Sequence, residues 1–157
     1  MSFDLATFIR ESNLIESITR APTREECYAH LCLLDLLKVE VQDLECFVRA
    51  INGAPLRREP GMDVRVGSHV APRGGPEIEE RLSNFLEGVC APTNWDPHSA
   101  HIWYETLHPF LDGNGRSGRA LWLWQMQHYS LPIYGSSFLR TFYYQTLAQS
   151  RVQERRT

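Results

Sequence analysis

The chain has no apolar run long enough to cross a bilayer, no internal repeat and no low-complexity tract. Its amino terminus carries Asp4, Arg10 and Glu11 where a secretory leader would need an apolar stretch, so neither a signal peptide nor a membrane span is expected. Positive charge is not in excess. Sixteen Lys and Arg against nineteen Asp and Glu leave a net charge of −3, with the signs interspersed. A nucleic-acid partner would need a basic footprint that is missing here. Cysteine is sparse and unpatterned: residues 27, 32, 46 and 90 show no C-x-x-C spacing, and three lie in helical patterns. Reduced, buried thiols and a cytoplasmic setting are the expectation. What remains is 157 residues with 43% hydrophobic and 22% charged side chains, the profile of one soluble domain with a real core.

One segment carries chemistry. Residues 108–119 read H-P-F-L-D-G-N-G-R-S-G-R. The stretch before it is helical by pattern: Asp96 suits the N-cap, Pro97 the first turn, and Ile102, Trp103 and Leu107 supply apolar positions. The stretch after it, Ser117 to Tyr129, is also helical, with Leu121, Leu123, Trp124 and Met126 available for burial. A glycine-bearing loop thus opens onto a fresh helix N-terminus. Backbone N–H groups at Gly113, Gly115 and Arg116 make a cradle for anions there. Arg116 and Arg119 add bidentate phosphate grip, and Asp112 offers an oxygen ligand for magnesium. His108, at the mouth of the loop, can accept a proton near neutrality. The residues point to nucleotide phosphate handling beside a general base.

Other glycine loops fit less well. Gly113 and Gly118 have P-loop separation, but Arg119 and Ala120 follow them and a helix precedes. An EF-hand starting at Asp112 would need glycine at Ser117 and an acid at Leu123. His101, Glu105 and His108 share a helical face, yet a zinc site there lacks a fourth ligand and Pro109 closes the helix. A plain connecting loop with a packed histidine would not need twelve consecutive residues of convergent polar chemistry.

The segment resembles the signature of Fic domains, H-P-F-x-[DE]-G-N-G-R-x-x-R, at every specified position. The resemblance covers nearly the whole chain, from about Phe8 to Leu147. It implies an enzyme that transfers AMP from ATP to a Ser, Thr or Tyr hydroxyl of a target protein. On that resemblance His108 would deprotonate the hydroxyl, Phe110 would anchor the loop, and Asp112 would hold Mg²⁺ bridging two phosphates. Gly113, Asn114, Gly115 and Arg116 would form the anion hole, and Arg119 would hold the γ-phosphate. The kinase-like branch carries Lys where this chain has Gly115, so Gly115 favours AMP transfer.

Residues 12–17 read S-N-L-I-E-S within an expected helix that uses Leu5, Phe8, Ile9 and Ile15. Ser12 and Glu16, four apart, share a face. This is similar to the family's inhibitory motif, [S/T]-x-x-x-E-[G/N], and implies that Glu16 pairs with Arg119 and excludes the γ-phosphate, within residues 1–20. Ser17 departs from the expected Gly or Asn. A second match, S-N-F-L-E-G at 83–88, falls where the family has a scaffold helix.

Between these features, Asn52-Gly53-Ala54-Pro55 ends a helix, and Gly61, Gly67, Pro72, Gly74, Gly75 and Pro76 punctuate the next stretch. Val64 and Val66 alternate with Asp63 and Arg65, and Val70 comes shortly after, a short strand-pair signal. The resemblance places a flap here, a hairpin over residues 61–71 whose Val64, Arg65, Val66 and Gly67 would hold the target by strand pairing.

The remainder reads as scaffold. A capping box at Thr23–Glu26 opens one long helix through Leu34, Leu37, Val41, Leu44, Val48 and Ile51. Glu77–Val89 gives another through Ile78, Leu82, Phe85 and Leu86. Residues 135–150 give a last one, where Tyr143 or Tyr144 is a candidate for an adenine pocket, and the arginine-rich tail 151–156 frays. The expected fold is all-α, a single Fic-like helical bundle with a hairpin flap. Three alternatives stay open on sequence: AMP removal by the same residues, a nucleotide-binding regulatory module with little turnover, and a homo-oligomeric assembly. The target and the base preference are not written in the chain.

Overall fold

The computed structural model describes residues 3–91 and 94–131. Among the described residues, six helices and four short strands run in the order α1 (Leu5–Ile15), α2 (Arg24–Leu34), α3 (Val41–Ala50), β1 (Ala54–Leu56), β2 (Arg65–Val66), β3 (His69–Val70), α4 (Pro76–Val89), α5 (Pro97–Leu107), β4 (Phe110–Asp112) and α6 (Asn114–His128). The expected helical fold with a small hairpin is what the chain adopts. The expected helix over 135–150, with Tyr143 and Tyr144, and the tail after it lie outside the described residues.

Local chemistry explains most helix starts. Asp4 accepts from the Thr7 N–H at 3.2 Å to cap α1. Thr23 and Glu26 exchange side-chain and backbone bonds to open α2. Asp96 accepts from the Ser99 N–H at 3.0 Å, and Pro97 occupies the first turn of α5.

The long helix expected from Thr23 to Ile51 is instead two. Asp35 caps α2, and the Glu40 N–H donates to the Asp43 carboxylate at 2.8 Å to restart the helix as α3. The break leaves Leu37 88% exposed and drops Val39 into the core. Two shorter helices can fold back on each other and on α6, as one rod could not. On α5, too, the buried face differs from the expected one. Ala100, His101, Tyr104 and Leu107 point inward, and Ile102 lies 40% exposed because it sits well round the helix from that stripe. Trp103 is half-buried and stacks on Phe85, centroids 4.2 Å apart.

The main core gathers Leu33, Leu44, Phe47, Val48, Ile78, Leu82, Phe85, Leu86, Tyr104, Phe110, Leu121 and Trp124. Each fully buried side chain of this size contributes about 1.5–3 kcal/mol relative to exposure. A smaller cluster of Phe8, Ile9, Trp122 and Leu123 attaches α1 to α6. All four cysteines are unpaired, as expected, but burial is not their state: Cys32 and Cys46 are exposed, and Cys27 and Cys90 are half-buried. The inward faces of α2 and α3 belong to Ala29, His30 and Leu33 and to Leu44, Phe47 and Val48, which turns Cys32 and Cys46 outward. No helix among the described residues is long and apolar enough to cross a membrane.

Candidate active site

The loop of residues 108–119 is fixed from both sides. β4 pairs antiparallel with β1, Ala54 opposite Asp112 and Leu56 opposite Phe110. No strand is expected here from the pattern of residues, because three positions carry no alternation to read. Gly53 lets the strands close up: a Cβ on it would lie 2.9 Å from the Asp112 carbonyl oxygen. Phe110 is buried in the core, and Asn114 folds back on it. The Asn114 Oδ1 accepts from the Phe110 N–H and its Nδ2 donates to the Phe110 carbonyl, both at 2.8 Å. The buried side chain of Asn114 therefore shapes the loop.

α6 begins at Asn114, three residues earlier than the pattern suggested, because Gly113 turns the chain at φ 92°. The first intrahelical bond is Ser117 N–H to the Gly113 carbonyl at 3.0 Å. The N–H groups of Asn114, Gly115 and Arg116 are left without intrahelical acceptors, an anion site by geometry and by helix dipole. Asp112 is exposed beside it, one carboxylate oxygen accepting from the Gly113 N–H at 2.8 Å. No cluster of three or more His, Cys, Asp or Glu suited to a metal exists among the described residues. A single exposed carboxylate beside open helix N–H groups nevertheless suits magnesium, since Mg²⁺ takes one or two carboxylates together with substrate phosphates and water.

The two arginines of the segment have different surroundings. Arg116 is buried and donates through Nη1 to the Ile51 carbonyl at the end of α3, 2.9 Å away, with its Nε unbonded. Arg119 meets α1. Its Nε donates to Ser12 Oγ at 2.8 Å, and its Nη2 donates to the Ser12 carbonyl at 3.0 Å and to Glu16 Oε1 at 2.6 Å. The two ends of the pattern S-N-L-I-E-S thus grasp one guanidinium. Glu16 also lies directly over Gly115, where an added Cβ would overlap its Oε1. Ser17 has φ 61°, the left-handed region that Gly and Asn enter with least cost. That is the physical reason for Gly or Asn after the glutamate, and Ser17 occupies the same conformation under strain. The rival match at 83–88 lies on α4 with Ser83 and Glu87 exposed, and Glu87 acts on Lys38 instead.

His108 is the last residue of α5's turn, at φ 50° and ψ 63°, with its N–H bonded to the Tyr104 carbonyl at 2.9 Å. Burial holds its imidazole below the ordinary histidine pKa, and the charges of Arg57 and His69 push the same way, against the Glu105 carbonyl and the Glu16 carboxylate. The neutral, proton-accepting form is favoured. Between α5 and α6, Gly118 permits close contact with Tyr104 and Glu105, and the Tyr104 hydroxyl bonds Ser117 Oγ at 2.7 Å. Burial raises Glu105 to about 7 and lowers His101 to about 3, so the pair, 3.9 Å apart, is held near neutrality.

Above the loop, β2 and β3 form the hairpin, Arg65 opposite Val70 and Val66 opposite His69, turned by Gly67 at φ 61°. Val66 and Val70 are exposed apolar side chains, and His69 Nε2 sits 2.9 Å from the Thr106 carbonyl, tying the hairpin to α5. Sequence reasoning missed Arg57 altogether. This fully buried side chain donates to the carbonyls of Met62, Pro72, Leu107 and His108. Arg57 and Arg58 stand side by side in the sequence, and nothing there says which goes inside.

Comparison with known proteins agrees with this arrangement. The family model described as Fic/DOC matches residues 48–126, half of the chain. The protein adenylyltransferase Fic of Drosophila willistoni is 32% identical over 107 residues, 60% of this chain and 21% of the fly protein. The protein of the same name from Drosophila persimilis gives the same identity over 20% of its length. The chain spans about a fifth of the length of these curated relatives. With the motif, the fold and the matched residues in agreement, this chain belongs to the Fic/DOC family.

Proposed function

We propose that the chain transfers AMP from ATP to a hydroxyl side chain of a target protein, and that Glu16 holds this activity down. The observation that carries the reading is the seat of Glu16. A carboxylate already occupies the end of an open helix N-terminus, bonded to Arg119 and lying over Gly115, with His108 at the mouth of the same loop. A phosphate group belongs where that carboxylate sits, since both are anions that a guanidinium binds through oxygen. The relatives named protein adenylyltransferase support the same chemistry.

In this reading the α6 N–H groups and Arg119 bind the triphosphate and neutralise charge that moves toward the leaving pyrophosphate. Asp112 would hold Mg²⁺, which supplies further charge neutralisation on the phosphates. His108, neutral because it is buried, takes the proton of the attacking hydroxyl; a positioned base gives about 10²–10⁴-fold. The exposed edge of the β2–β3 hairpin offers main-chain groups near His108 for an extended target segment, with Val64, Arg65, Val66 and Gly67 along it. Glu16 on Arg119 competes with the terminal phosphate, so transfer rises when it is removed.

The test uses ATP labelled on the α-phosphate with Mg²⁺ and three proteins: wild type, Glu16→Gly and His108→Ala. Each is incubated alone and in a cell extract, and label surviving denaturation is scored. Strong label with Glu16→Gly, weak label with wild type and none with His108→Ala is the expected result. ATP binding without label in any variant would sink the transfer reading and leave a binding role or AMP removal.

A further inference from the structure

We propose that Arg57 is a positioning residue that locks the β2–β3 hairpin to the backbone of His108 through one buried guanidinium. Four of its five N–H donors are engaged, and all four acceptors are backbone carbonyls. Nη1 reaches Met62 at 3.1 Å and Pro72 at 2.7 Å, the two feet of the hairpin. Nε reaches His108 at 2.7 Å and Nη2 reaches Leu107 at 2.9 Å. The backbone of Arg57 repeats the pattern, its N–H donating to the Pro109 carbonyl and its carbonyl accepting from Gly75, both at 2.9 Å.

Both sets of acceptors have a reason to be there. Leu107 and His108 end α5, so their carbonyls lack intrahelical partners and lie at the negative end of the helix dipole. A cation aimed at them caps the helix and holds His108 in its left-handed conformation, one that a Cβ disfavours. The hairpin feet, Met62 and Pro72, turn their carbonyls toward the same Nη1. A planar fork with donors pointing several ways can serve both at once; a lysine ammonium is compact and cannot span them. Arg57 makes no ion pair among the described residues, though it feels the charge of Asp63, which is itself engaged with the Gly74 N–H at 2.9 Å. A fully buried arginine with carbonyl partners alone is a geometric device, not half of a salt bridge.

The consequence for activity rests on the transfer reading above. The hairpin would hold the target's hydroxyl and His108 would take its proton, so a fixed distance between them governs kcat and leaves ATP affinity alone. Arg57→Lys and Arg57→Met are made in the 157-residue chain, in wild type and in Glu16→Gly. Amide hydrogen exchange is followed by peptide mass spectrometry, and KM for ATP and kcat are measured. Exchange should quicken about tenfold or more in residues 62–72 and 105–112 together, with α1 and α6 unchanged. In the Glu16→Gly background kcat should fall on the order of 10–100-fold with KM for ATP within about twofold, and lysine should not rescue.

Faster exchange in one segment alone, an equal loss of protection along the whole chain in both variants, or full kcat with lysine would overturn the proposal. If Glu16→Gly itself transfers nothing, the transfer reading fails, and the exchange pattern still decides whether Arg57 couples hairpin and loop.

Discussion

Glu16 on α1 and Arg119 on α6 stand 103 residues apart in the chain and 2.6 Å apart in the fold. Ser12, one turn earlier, holds the same guanidinium from its hydroxyl and its carbonyl. α1 therefore presents both ends of a helical turn to one charge, while Phe8 and Ile9 anchor it against Trp122 and Leu123.

In the proposed reading, that division of labour makes Glu16→Gly a clean release. The ion pair, discounted because Glu16 is 38% exposed, is worth about 1–2 kcal/mol. Transfer should rise about tenfold or more, while Ser12, Phe8 and Ile9 keep α1 in place. Thermal denaturation should show a drop of only a few degrees; wholesale loss of α1 protection in hydrogen exchange would contradict it.

Ser17→Gly should act in the opposite sense. Glycine removes the Cβ penalty at φ 61° at the expense of some unfolded-state entropy, a net gain of about 0.5–1 kcal/mol for the docked end of α1. Basal labelling by otherwise wild-type protein should fall about two- to fivefold with a small rise in Tm. In the Glu16→Gly background it should change labelling little.

Gly115→Ala attacks the same contact from the other side. Its Cβ would collide with Glu16 Oε1 and lie 3.1 Å from an Arg119 Nη. The variant should lose about 1–2 kcal/mol of stability, and most of that loss should vanish when Glu16 is already glycine. Additive losses in chemical denaturation would show that the collision is not what destabilises it.

His108→Ala should lower transfer by about 10²-fold or more and leave ATP affinity within about twofold. The pH profile carries a sign. In the proposed reading the imidazole acts in its neutral form, and burial with Arg57 and His69 nearby depresses its pKa, so activity should persist as pH falls through the ordinary histidine value and decline below it. An acid limb in kcat/KM above about pH 6.5 would show that this environment does not act on His108.

Glu105 offers a stability test. Its folded pKa, raised by burial to about 7 from 4.5, stabilises the fold below the unfolded value and loses that contribution as pH rises through 7. Unfolding between pH 5 and pH 8 should show wild type losing on the order of 1–3 kcal/mol relative to Glu105→Gln. Parallel curves for the two proteins would assign the pH dependence elsewhere.

Features whose meaning is local can be read along the chain. The twelve residues 108–119 are contiguous, so a glycine-bearing loop that opens onto a helix is written in one place. Ser12 and Glu16 fall on one face by helical spacing, and the alternation at Val64 and Val66 marks the hairpin that pairs Arg65 with Val70. Helix α4 kept its expected apolar face, Ile78, Leu82, Phe85 and Leu86, because periodicity is a property of the element alone.

Features that depend on residues far apart in the chain emerge with the three-dimensional packing. The break at 35–40 lets α2 and α3 pack on each other and on α6, against a pattern that could continue as one helix. β1 exists because β4 lies beside it, with partners more than fifty residues distant. Arg116 reads as a phosphate-gripping side chain and Asn114 as part of an anion hole; only the fold adds that the Asn114 side chain bonds Phe110 and that one Arg116 N–H bonds the Ile51 carbonyl. Between the neighbours Arg57 and Arg58, the fold sends the first inward to four carbonyls and the second outward to Glu45 and Glu79. Backbone groups left open at a helix end and at two hairpin feet made that choice, and no pattern of side chains along the chain records where such groups will meet.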